Sequence, residues 1–281
     1  MNFGAHAFVW AGEWNDEAAR KVLDGAASAG LDFVEIPLLR LDEYRAEATR
    51  KELEARGLTA SFSLGLPPDA TLPDRPQAAE TFLSGVLEKI QATGSHSLSG
   101  VIYGTLGELP GRRPTAQDYD TIAETLKRVA KEAAEREIRI GIEPVNRYET
   151  FLINTVDQAL ELMSRIDEDN VFLHLDTYHM NIEEESFREA IQRAGSRLEY
   201  IHLSESHRGT PGTGTVDWDA VFAGLAAIDF RGALTMESFA DINPDIARAT
   251  CMWRDIVTDP AKLVKEGLAF LRGKAEQYGL R

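Results

Sequence analysis

The feature that most constrains the fold is a regular alternation of short apolar segments and longer segments with helical periodicity. Eight apolar segments recur over 281 residues, about one in every 35, and helical patterns separate them. This alternation is typical of an α/β protein with a parallel sheet. The predicted strands are residues 3–10, 31–38, 58–64, 100–104, 138–145, 171–177, 198–204 and 232–238.

Several of the helical patterns begin at a recognisable capping residue. Asn15 or Asp16 begins the first helix, and Thr115, followed by Asp118 in the first turn, begins the longest. The other predicted helices are 42–56, 77–93, one from Thr155, one from about Asp217 and 260–278, with a Pro-rich loop at 67–76.

Eight strand–helix units predict the fold class α/β, with a single (β/α)8 TIM barrel as the architecture. The length would also permit two domains, but composition does not change along the chain, so residues 1–281 are predicted to form one domain. A doubly wound sheet is the main alternative. It would usually carry a glycine-rich nucleotide motif after the first strand, and residues 10–14 read WAGEW instead.

Charge and composition exclude several classes of partner. Forty-six acidic residues against thirty basic ones give a formal net charge of −16, which argues against binding to nucleic acid or to an anionic membrane surface. No stretch approaches the roughly 18 apolar residues of a membrane helix, and residues 1–10 lack the pattern of a secretory signal. The single cysteine, Cys251, excludes an intramolecular disulfide. These features predict a cytoplasmic protein.

Three acidic residues and one histidine fall at the ends of four consecutive predicted strands. They are Glu143, Asp176, His202 and Glu237. The carboxyl ends of barrel strands meet at one face, where the active sites of such barrels lie. Carboxylates this close repel one another unless a cation neutralises them, and oxygen ligands with one imidazole suit Mn²⁺, Co²⁺ or Mg²⁺ better than Zn²⁺. The sequence therefore predicts one divalent cation at this face, with Mn²⁺ as the first choice.

Four segments carry a resemblance to a known family. GIEPVNRYET (141–150), HLDTYHMNIEE (174–184), IHLSESHRGTPGTGTVDW (201–218) and TMESF (235–239) resemble segments of the metal-dependent ketose 3-epimerases. These are the D-tagatose, D-allulose and L-ribulose 3-epimerases, sugar isomerase barrels related to xylose isomerase, and the resemblance covers nearly the whole chain. It implies an isomerase that epimerises free ketopentoses and ketohexoses at C3, such as L-ribulose, D-tagatose, D-allulose or D-fructose. It also implies a homodimer or homotetramer.

The resemblance assigns roles to individual residues. The four predicted ligands match those of the family, and Glu143 and Glu237 also match its two acid/base groups. The residues that match its sugar-contacting positions are Glu149, His179, Arg208 and Trp14. His6 stands where a large aromatic residue is common and Phe62 where smaller residues are common. Both are therefore predicted to border the sugar and to affect which ketose is preferred.

The chemistry of C3 epimerisation agrees with these residue types. A proton beside a carbonyl is removed and then returned on the opposite face, so one acid/base group is needed on each face. Glutamates from two different strands can meet that requirement, and general acid–base catalysis of this kind contributes ~10²–10⁴-fold. A divalent cation chelated by O2 and O3 would polarise the carbonyl. Arg208 would supply positive charge near the developing oxyanion, and His179 would donate a hydrogen bond to O1 or O2.

Alternatives remain within the same barrel. An isomerase of hydroxypyruvate-type substrates would need a cation for the carboxylate, and Arg208 is the only obvious candidate; a keto-inositol dehydratase uses a related metal barrel. The PGTGT segment, 211–215, could offer backbone amides to a phosphate, but no Lys/Arg cluster accompanies it, which favours a free sugar. A sugar-binding protein would not need two carboxylates across a metal. A DNA-repair endonuclease disagrees with the net charge of −16.

Other polar residues have weaker patterns. His174 shares strand parity with Asp176 and is predicted to be a hydrogen-bonded histidine of the barrel core. Glu205 and His207 flank the end of the seventh predicted strand and are candidates for a supporting role. Cys251 is predicted to be an inert small apolar residue.

Overall fold

Parallel strands close into a barrel at the centre of the molecule. The computed structural model of the protein describes residues 2–280, apart from the side chain of Asp245. Within that range the strands follow one another around the barrel in chain order, and the first pairs with the last. They are β1 Asn2–His6, β2 Phe33–Pro37, β3 Thr59–Gly65, β4 Ser97–Val101, β5 Arg139–Ile142, β6 Val171–Asp176, β7 Leu198–His202 and β8 Ala233–Met236. The predicted (β/α)8 architecture is confirmed; the end residues of the predicted domain, 1 and 281, lie outside the described residues.

Helices cover the outside of the barrel. They are α1 Asp16–Ser28, α2 Ala46–Glu54, α3 Pro76–Thr93, α4 Ala116–Glu135, α5 Val156–Ile166, α6 Thr177–Glu183, α7 Phe187–Ala194, α8 Trp218–Ala227, α9 Pro244–Thr250 and α10 Pro260–Gln277. The sequence pattern does not predict α6, α7 or α9. Each is only seven or eight residues long, which is about two turns and too short to show a helical period.

Several helices begin where a side chain accepts the free backbone N–H groups of the first turn. The Asn15 side chain accepts two of them at the start of α1, at 3.1 and 3.0 Å. Thr115 and Asp118 form a reciprocal capping box at α4. Thr155 does the same with Gln158 at α5, and Asp217 caps α8. The predicted helix starts are therefore confirmed at these positions.

The first strand is shorter than predicted. It ends at His6 rather than at residue 10. The Nδ1 atom of His6 accepts the backbone N–H of Phe8 at 3.1 Å, and Ala7–Val9 turns into a short 3₁₀ helix. The apolar run therefore continues past the strand into a buried turn.

Several other predicted boundaries are also wrong: the fifth, seventh and eighth strands end two or three residues earlier than predicted. β4 lies about three residues earlier than predicted, because its alternate residues Ser97 and Ser99 are small and polar and hide the strand in the sequence. α2 begins at Ala46 rather than at residue 42, since a turn at Leu41–Tyr44 precedes it.

Alternate strand residues face opposite sides of the barrel wall, and the inward set is largely polar. Ser61 and Ser63 of β3 are buried, and the ring of the residue between them, Phe62, packs edge-on against Tyr44 at 5.8 Å. The Tyr44 hydroxyl bonds to Thr93 of α3, so Phe62 lies in the helix layer. The prediction that Phe62 borders the sugar is therefore wrong, because its parity on the strand directs it outward.

Aromatic rings fill the amino end of the barrel. Phe33, Phe172 and Tyr200 form a buried cluster, which we call the aromatic plug. Two strand glycines make room for it: a Cβ on Gly4 would lie 2.4 Å from the Phe33 ring, and one on Gly141 would lie 2.5 Å from the Phe172 ring. Glycine is costly inside a strand, and here the close packing of the rings requires it.

Candidate active site

The four predicted metal ligands lie at the carboxyl end of the barrel. Asp176 and His202 are the last residues of β6 and β7, and Glu143 and Glu237 directly follow β5 and β8. All four residues are buried, with at most 7% of their surface exposed. We call these four residues the acidic cluster.

The ligand atoms of the acidic cluster converge. Oxygens of Asp176 and Glu237 and a ring nitrogen of His202 all lie within 4.8 Å of one another. His202 Nδ1 is 3.3 Å from Glu237 Oε2 and 3.9 Å from Asp176 Oδ2. The same nitrogen is 3.8 Å from Glu143 Oε1. The structure therefore brings the predicted ligands together around one imidazole.

The two ring nitrogens of His202 have different surroundings. Nδ1, which faces the three carboxylates, has no hydrogen-bond partner among the described residues. Nε2 lies 2.6 Å from Oε2 of Glu35, a fully buried residue of β2. The same oxygen accepts a hydrogen bond of 2.6 Å from the Tyr200 hydroxyl. Sequence reasoning missed Glu35, although a charged residue within the apolar run LDFVEIPL was a usable signal.

Arg208 supplies positive charge to the cluster. Its Nη1 donates to Asp176 Oδ2 at 2.6 Å and also contacts Glu237 Oε2. The guanidinium lies over the Tyr178 ring at 3.9 Å, a cation–π contact. Burial opposes the charge, but the two carboxylates outweigh it and raise the pKa of Arg208 above its usual value. The backbone of Arg208 is left-handed, with φ of +61°, so its loop must hold it firmly.

Glu205 provides that support. Its carboxylate accepts the backbone N–H groups of Ser206 at 2.8 Å, Gly212 at 2.9 Å and Val216 at 3.2 Å. It also accepts the indole N–H of Trp218 at 3.0 Å. One carboxylate therefore fixes the Gly-rich loop that carries Arg208.

Asn146 links two of the predicted sugar-contact residues. The Nδ1 atom of His179 accepts the Asn146 backbone N–H at 3.1 Å, and Asn146 Nδ2 donates to Glu149 Oε1 at 2.8 Å. Because Nδ1 accepts, the proton of a neutral His179 sits on Nε2, which lies 3.7 Å from Asp176 Oδ2 and 3.3 Å from Arg208 Nη2. Burial raises the pKa of Glu149 to about 7, although Arg208 and the Asn146 hydrogen bond lower it in part. His179 and Glu149 are thus held by the same short segment beside the acidic cluster.

Burial is the largest influence on the pKa of each carboxylate in the cluster. It raises the pKa of Asp176 to about 6, with Arg208 opposing. Burial, with the charges of Asp176 and Glu237, raises the pKa of Glu143 well above its usual value. For Glu237, Arg208 and His202 outweigh burial and hold the pKa well below its usual value. Glu143 is therefore the carboxylate that Arg208 neutralises least.

This donor set fits a divalent cation. Three carboxylates against one guanidinium leave two formal negative charges in a buried space. The unpartnered His202 Nδ1 supplies a nitrogen ligand in the same space. An oxygen-rich set with one imidazole suits Mn²⁺ or Mg²⁺ more than Zn²⁺.

Two of the predicted sugar-contact residues contact groups outside the acidic cluster. Trp14, between β1 and α1, donates from its indole to Thr49 of α2 at 3.4 Å. His6 Nε2 lies 3.4 Å from Ser63 Oγ and 3.6 Å from Glu35 Oε1. His6 therefore lies beside Glu35, its register partner on the neighbouring strand.

His174 is buried inside the barrel as predicted, but the expected hydrogen bonds are missing. Neither ring nitrogen has a hydrogen-bond partner among residues 2–280. Nδ1 lies 3.6 Å from Glu143 Oε2, and the ring packs against those of Tyr200 and His202, with centroids at 4.8 and 4.2 Å. The prediction of a hydrogen-bonded histidine is therefore wrong, and ring packing holds His174 in place.

Comparisons with known proteins agree with the geometry. Residues 23–274 match the family model described as a xylose isomerase-like TIM barrel. An L-ribulose 3-epimerase of Methylomonas sp. (strain DH-1) is 40% identical over 97% of both chains, and a ketose 3-epimerase of Arthrobacter globiformis is 36% identical over 98% of this chain and 96% of its own. A crystal structure of D-allulose 3-epimerase from Methylomonas sp. in complex with D-allulose superposes with a TM-score of 0.94, at 38% identity, over 98% of this chain and 97% of that one.

Membrane insertion has no support in the helices. Within residues 2–280, none combines the length and the apolar character needed to span a bilayer. A buried acidic cluster at the carboxyl end of a (β/α)8 barrel and full-length similarity to sugar epimerases thus lead to one assignment. The chain belongs to the xylose isomerase-like TIM barrel family and, within it, to the ketose 3-epimerases, which are carbohydrate epimerases.

Proposed function

We propose that this epimerase acts on free ketopentoses and ketohexoses, with Glu143 and Glu237 as the two groups that exchange the C3 proton. The observation that carries the proposal is the convergence of both glutamates with Asp176 and His202 in one buried space. Glu143 follows β5 and Glu237 follows β8, so the two carboxylates enter that space from different strands of the barrel. A sugar held between them would present one face of C3 to each.

The two glutamates divide the proton transfer. One removes the proton from C3 and the other returns a proton to the opposite face; the reverse reaction exchanges their roles. When bound, a divalent cation would polarise the ketose carbonyl and stabilise the negative charge that develops on its oxygen. The residues that would hold it are Glu143, Asp176, His202 and Glu237. We propose Mn²⁺ as the ion, with Co²⁺ or Mg²⁺ as substitutes, so removal by a chelator should abolish activity and added Mn²⁺ should restore it.

Neighbouring residues would orient the sugar. His179 presents its Nε2–H toward the cluster and can donate to O1 or O2, while Glu149 can accept from a sugar hydroxyl. Arg208, already beside two carboxylates, adds positive charge where the oxyanion forms. Trp14 and His6 are proposed to line the sugar pocket further from C3, where they would affect which ketose is preferred.

The Gly-rich loop favours free sugars over sugar phosphates. A phosphate site there would need free backbone N–H groups. Those of Ser206, Gly212 and Val216 already donate to Glu205, and that of Thr215 donates to the Ser206 hydroxyl. We therefore expect ribulose to be epimerised much faster than ribulose 5-phosphate. Faster turnover of the phosphate would contradict this part of the proposal.

Three further statements complete the proposal. We propose that residues 1–281 act as one domain, that the enzyme works in the cytoplasm, and that it assembles as a homodimer or homotetramer. The relatives cover nearly the full chain, which supports the first of these. Size-exclusion chromatography with light scattering would measure the assembly.

Deuterium exchange tests the two-glutamate assignment. Glu143→Gln and Glu237→Gln would each be incubated in D₂O with saturating Mn²⁺ and with either epimer, and C3 followed by NMR. Each variant should lose epimerisation by ~10²–10⁴-fold, because one face lacks its acid/base group. Each should still exchange the C3 proton of one epimer, and the two variants should choose opposite epimers.

The matched control is Glu199→Gln, which removes a carboxylate from β7 that pairs with Arg139 at the other end of the barrel. It should epimerise at the wild-type rate. If Glu143→Gln or Glu237→Gln epimerised near the wild-type rate with Mn²⁺ bound, a single mobile base or a hydride shift would replace the two-glutamate assignment.

A further inference from the structure

A chain of buried polar groups lies beneath the acidic cluster and ends on His202. The Ser61 hydroxyl lies 2.9 Å from the Tyr200 hydroxyl, which donates to Glu35 Oε2 at 2.6 Å. The same oxygen lies 2.6 Å from His202 Nε2. Glu35 and His202 are 167 positions apart in sequence and come from β2 and β7, which are not neighbours in the barrel. The contact therefore crosses the barrel interior.

Glu35 determines which nitrogen of His202 can bind a metal. A carboxylate can only accept, so His202 Nε2 must carry the proton that lies between the two side chains. In the neutral ring, Nδ1 then has a free lone pair, and it is this atom that faces Glu143, Asp176 and Glu237. A carboxylate on the far nitrogen also holds the plane of the ring, which fixes the direction of that lone pair.

One oxygen of Glu35 is held by its neighbours. The Tyr200 hydroxyl donates to Oε2, whereas Oε1 has no hydrogen-bond partner among residues 2–280 and lies 3.6 Å from His6 Nε2. Because His6 Nδ1 accepts the Phe8 N–H, a neutral His6 carries its proton on Nε2, toward Glu35. Glu35 is fully buried, so its carboxylate is out of contact with bulk solvent.

We propose that Glu35 is a positioning residue that holds His202 with Nδ1 toward the acidic cluster and thereby sets the affinity for the divalent cation. This inference rests on the proposed function, since it assumes that the cluster binds a metal. It goes further in assigning a role to a residue of the amino-terminal half of the chain that does not touch the sugar.

A purely structural role for Glu35 would lead to a different result when the residue is replaced. A buried carboxylate that only packs the barrel would, when replaced, lower the free energy of unfolding and leave metal affinity unchanged in the molecules that remain folded. The two roles therefore separate in a metal titration.

The experiment uses chelator-treated full-length enzyme and Mn²⁺ as the probe. The dissociation constant is measured by following free Mn²⁺ by EPR for the wild type, Glu35→Gln and Tyr200→Phe, each checked for folding by circular dichroism. Glu35→Gln should weaken Mn²⁺ binding by about 10–100-fold. Tyr200→Phe keeps the carboxylate and removes one of its donors, so its loss should be smaller but measurable. Glu199→Gln, on the same strand as His202, is the matched control and should bind Mn²⁺ like the wild type.

Two further readouts identify the cause. In ¹⁵N NMR of the histidine rings, recorded with diamagnetic Mg²⁺ in place of Mn²⁺, wild-type His202 should show a proton on Nε2 and none on Nδ1, and Glu35→Gln should show a mixture of the two tautomers. At saturating Mn²⁺ the KM for the ketose should stay near the wild-type value, because Glu35 does not touch the sugar.

Unchanged Mn²⁺ affinity in Glu35→Gln, with the variant folded, would overturn the inference. If Glu35→Gln did not fold, Tyr200→Phe would decide: weaker binding supports the inference and unchanged binding overturns it. Failure of the proposed function has a separate signature, since a wild-type protein that bound no Mn²⁺ or did not epimerise ketoses would show it without any variant.

Discussion

At the carboxyl end of the barrel, the carboxylates of the acidic cluster crowd around one imidazole, whereas at the amino end the rings of the aromatic plug fill the axis. The same strands build both ends: β6 contributes Phe172 below and Asp176 above, four residues apart on one face of the strand. Burying like charges together is unfavourable, and burying aromatic rings is favourable. The difference indicates that the carboxyl end (the upper end) serves catalysis and that the amino end (the lower end) serves stability.

The ion pairs at the two ends of the barrel also differ in their exposure to solvent. Arg208 is buried between two carboxylates. At the lower end, Arg139 and Glu199 form a two-point ion pair of 2.8 and 2.5 Å with side chains 43% and 40% exposed, beside a cavity of about 250 Å³. Solvent screens the second pair and not the first. Substitutions at the carboxyl end should therefore separate activity from stability. Those at the amino end should not affect activity, except at Tyr200, whose hydroxyl bonds to Glu35.

The largest expected effect is on Glu143, where activity and stability should move apart. Glu143→Gln should lower turnover by ~10²–10⁴-fold. The free energy of unfolding of the chelator-treated protein near neutral pH should not fall, because the raised pKa shows that burial disfavours the ionised carboxylate. Steady-state kinetics and urea unfolding measure the two quantities. A loss of stability as large as that expected for a packed core residue would contradict the comparison.

Phe172 should show the opposite behaviour. Phe172→Ala removes a ring of the aromatic plug and should lower the free energy of unfolding by about 3–5 kcal/mol, since the ring leaves a cavity. Turnover per folded molecule should stay within about threefold of the wild type, because this end of the barrel contributes stability. Phe172→Leu is the control that keeps most of the volume. A large loss of kcat in folded Phe172→Ala would show that the two ends are coupled.

A pH-dependent effect is expected at Glu149. Burial raises its pKa from 4.5 to about 7, so the folded state holds the proton more tightly than the unfolded state. The resulting stability is fully present below about pH 4.5 and is lost as the pH rises through about 7. Between pH 4.5 and 8 the wild type should lose roughly 3 kcal/mol relative to Glu149→Gln. Urea unfolding of both chelator-treated proteins across this range measures the difference, and parallel curves would contradict it.

The smallest effect is expected at the exposed ion pair. Replacing Arg139 by Met and Glu199 by Gln together should change the free energy of unfolding by less than about 1 kcal/mol, because both side chains are partly solvated. Turnover should be unchanged. Each single variant serves as a control for the other, and a larger loss would mean that the pair seals the lower cavity.

Local patterns explain what could be predicted from the sequence. Strand parity and strand ends are local properties, and they suffice to predict that Glu143, Asp176, His202 and Glu237 share one face of the barrel. Helix caps such as Thr115 depend on residues three positions apart, so their prediction also succeeded.

The contacts that could not be predicted join distant parts of the chain. Glu35 and His202 meet across the barrel axis, and no periodicity encodes a contact between strands that do not pair. The prediction that Phe62 borders the sugar was wrong for a different reason. Similarity to a family position suggested that role, whereas the position of Phe62 between the inward-facing Ser61 and Ser63 directs its side chain to the helix layer. The prediction of a hydrogen-bonded His174 was wrong because a buried imidazole usually makes hydrogen bonds, whereas this ring packs against other rings instead.

The pairing of β1 with β8 has a consequence for synthesis of the protein. The four predicted ligands leave the ribosome one after another, and the set is incomplete until residue 237 has emerged. Until β8 pairs with β1, the nascent sheet has two open edges, which are surfaces prone to wrong pairing. All four proposed ligands can therefore meet the cation only as the ring closes. The metal content of a preparation would then measure the fraction of chains in which β1 has paired with β8.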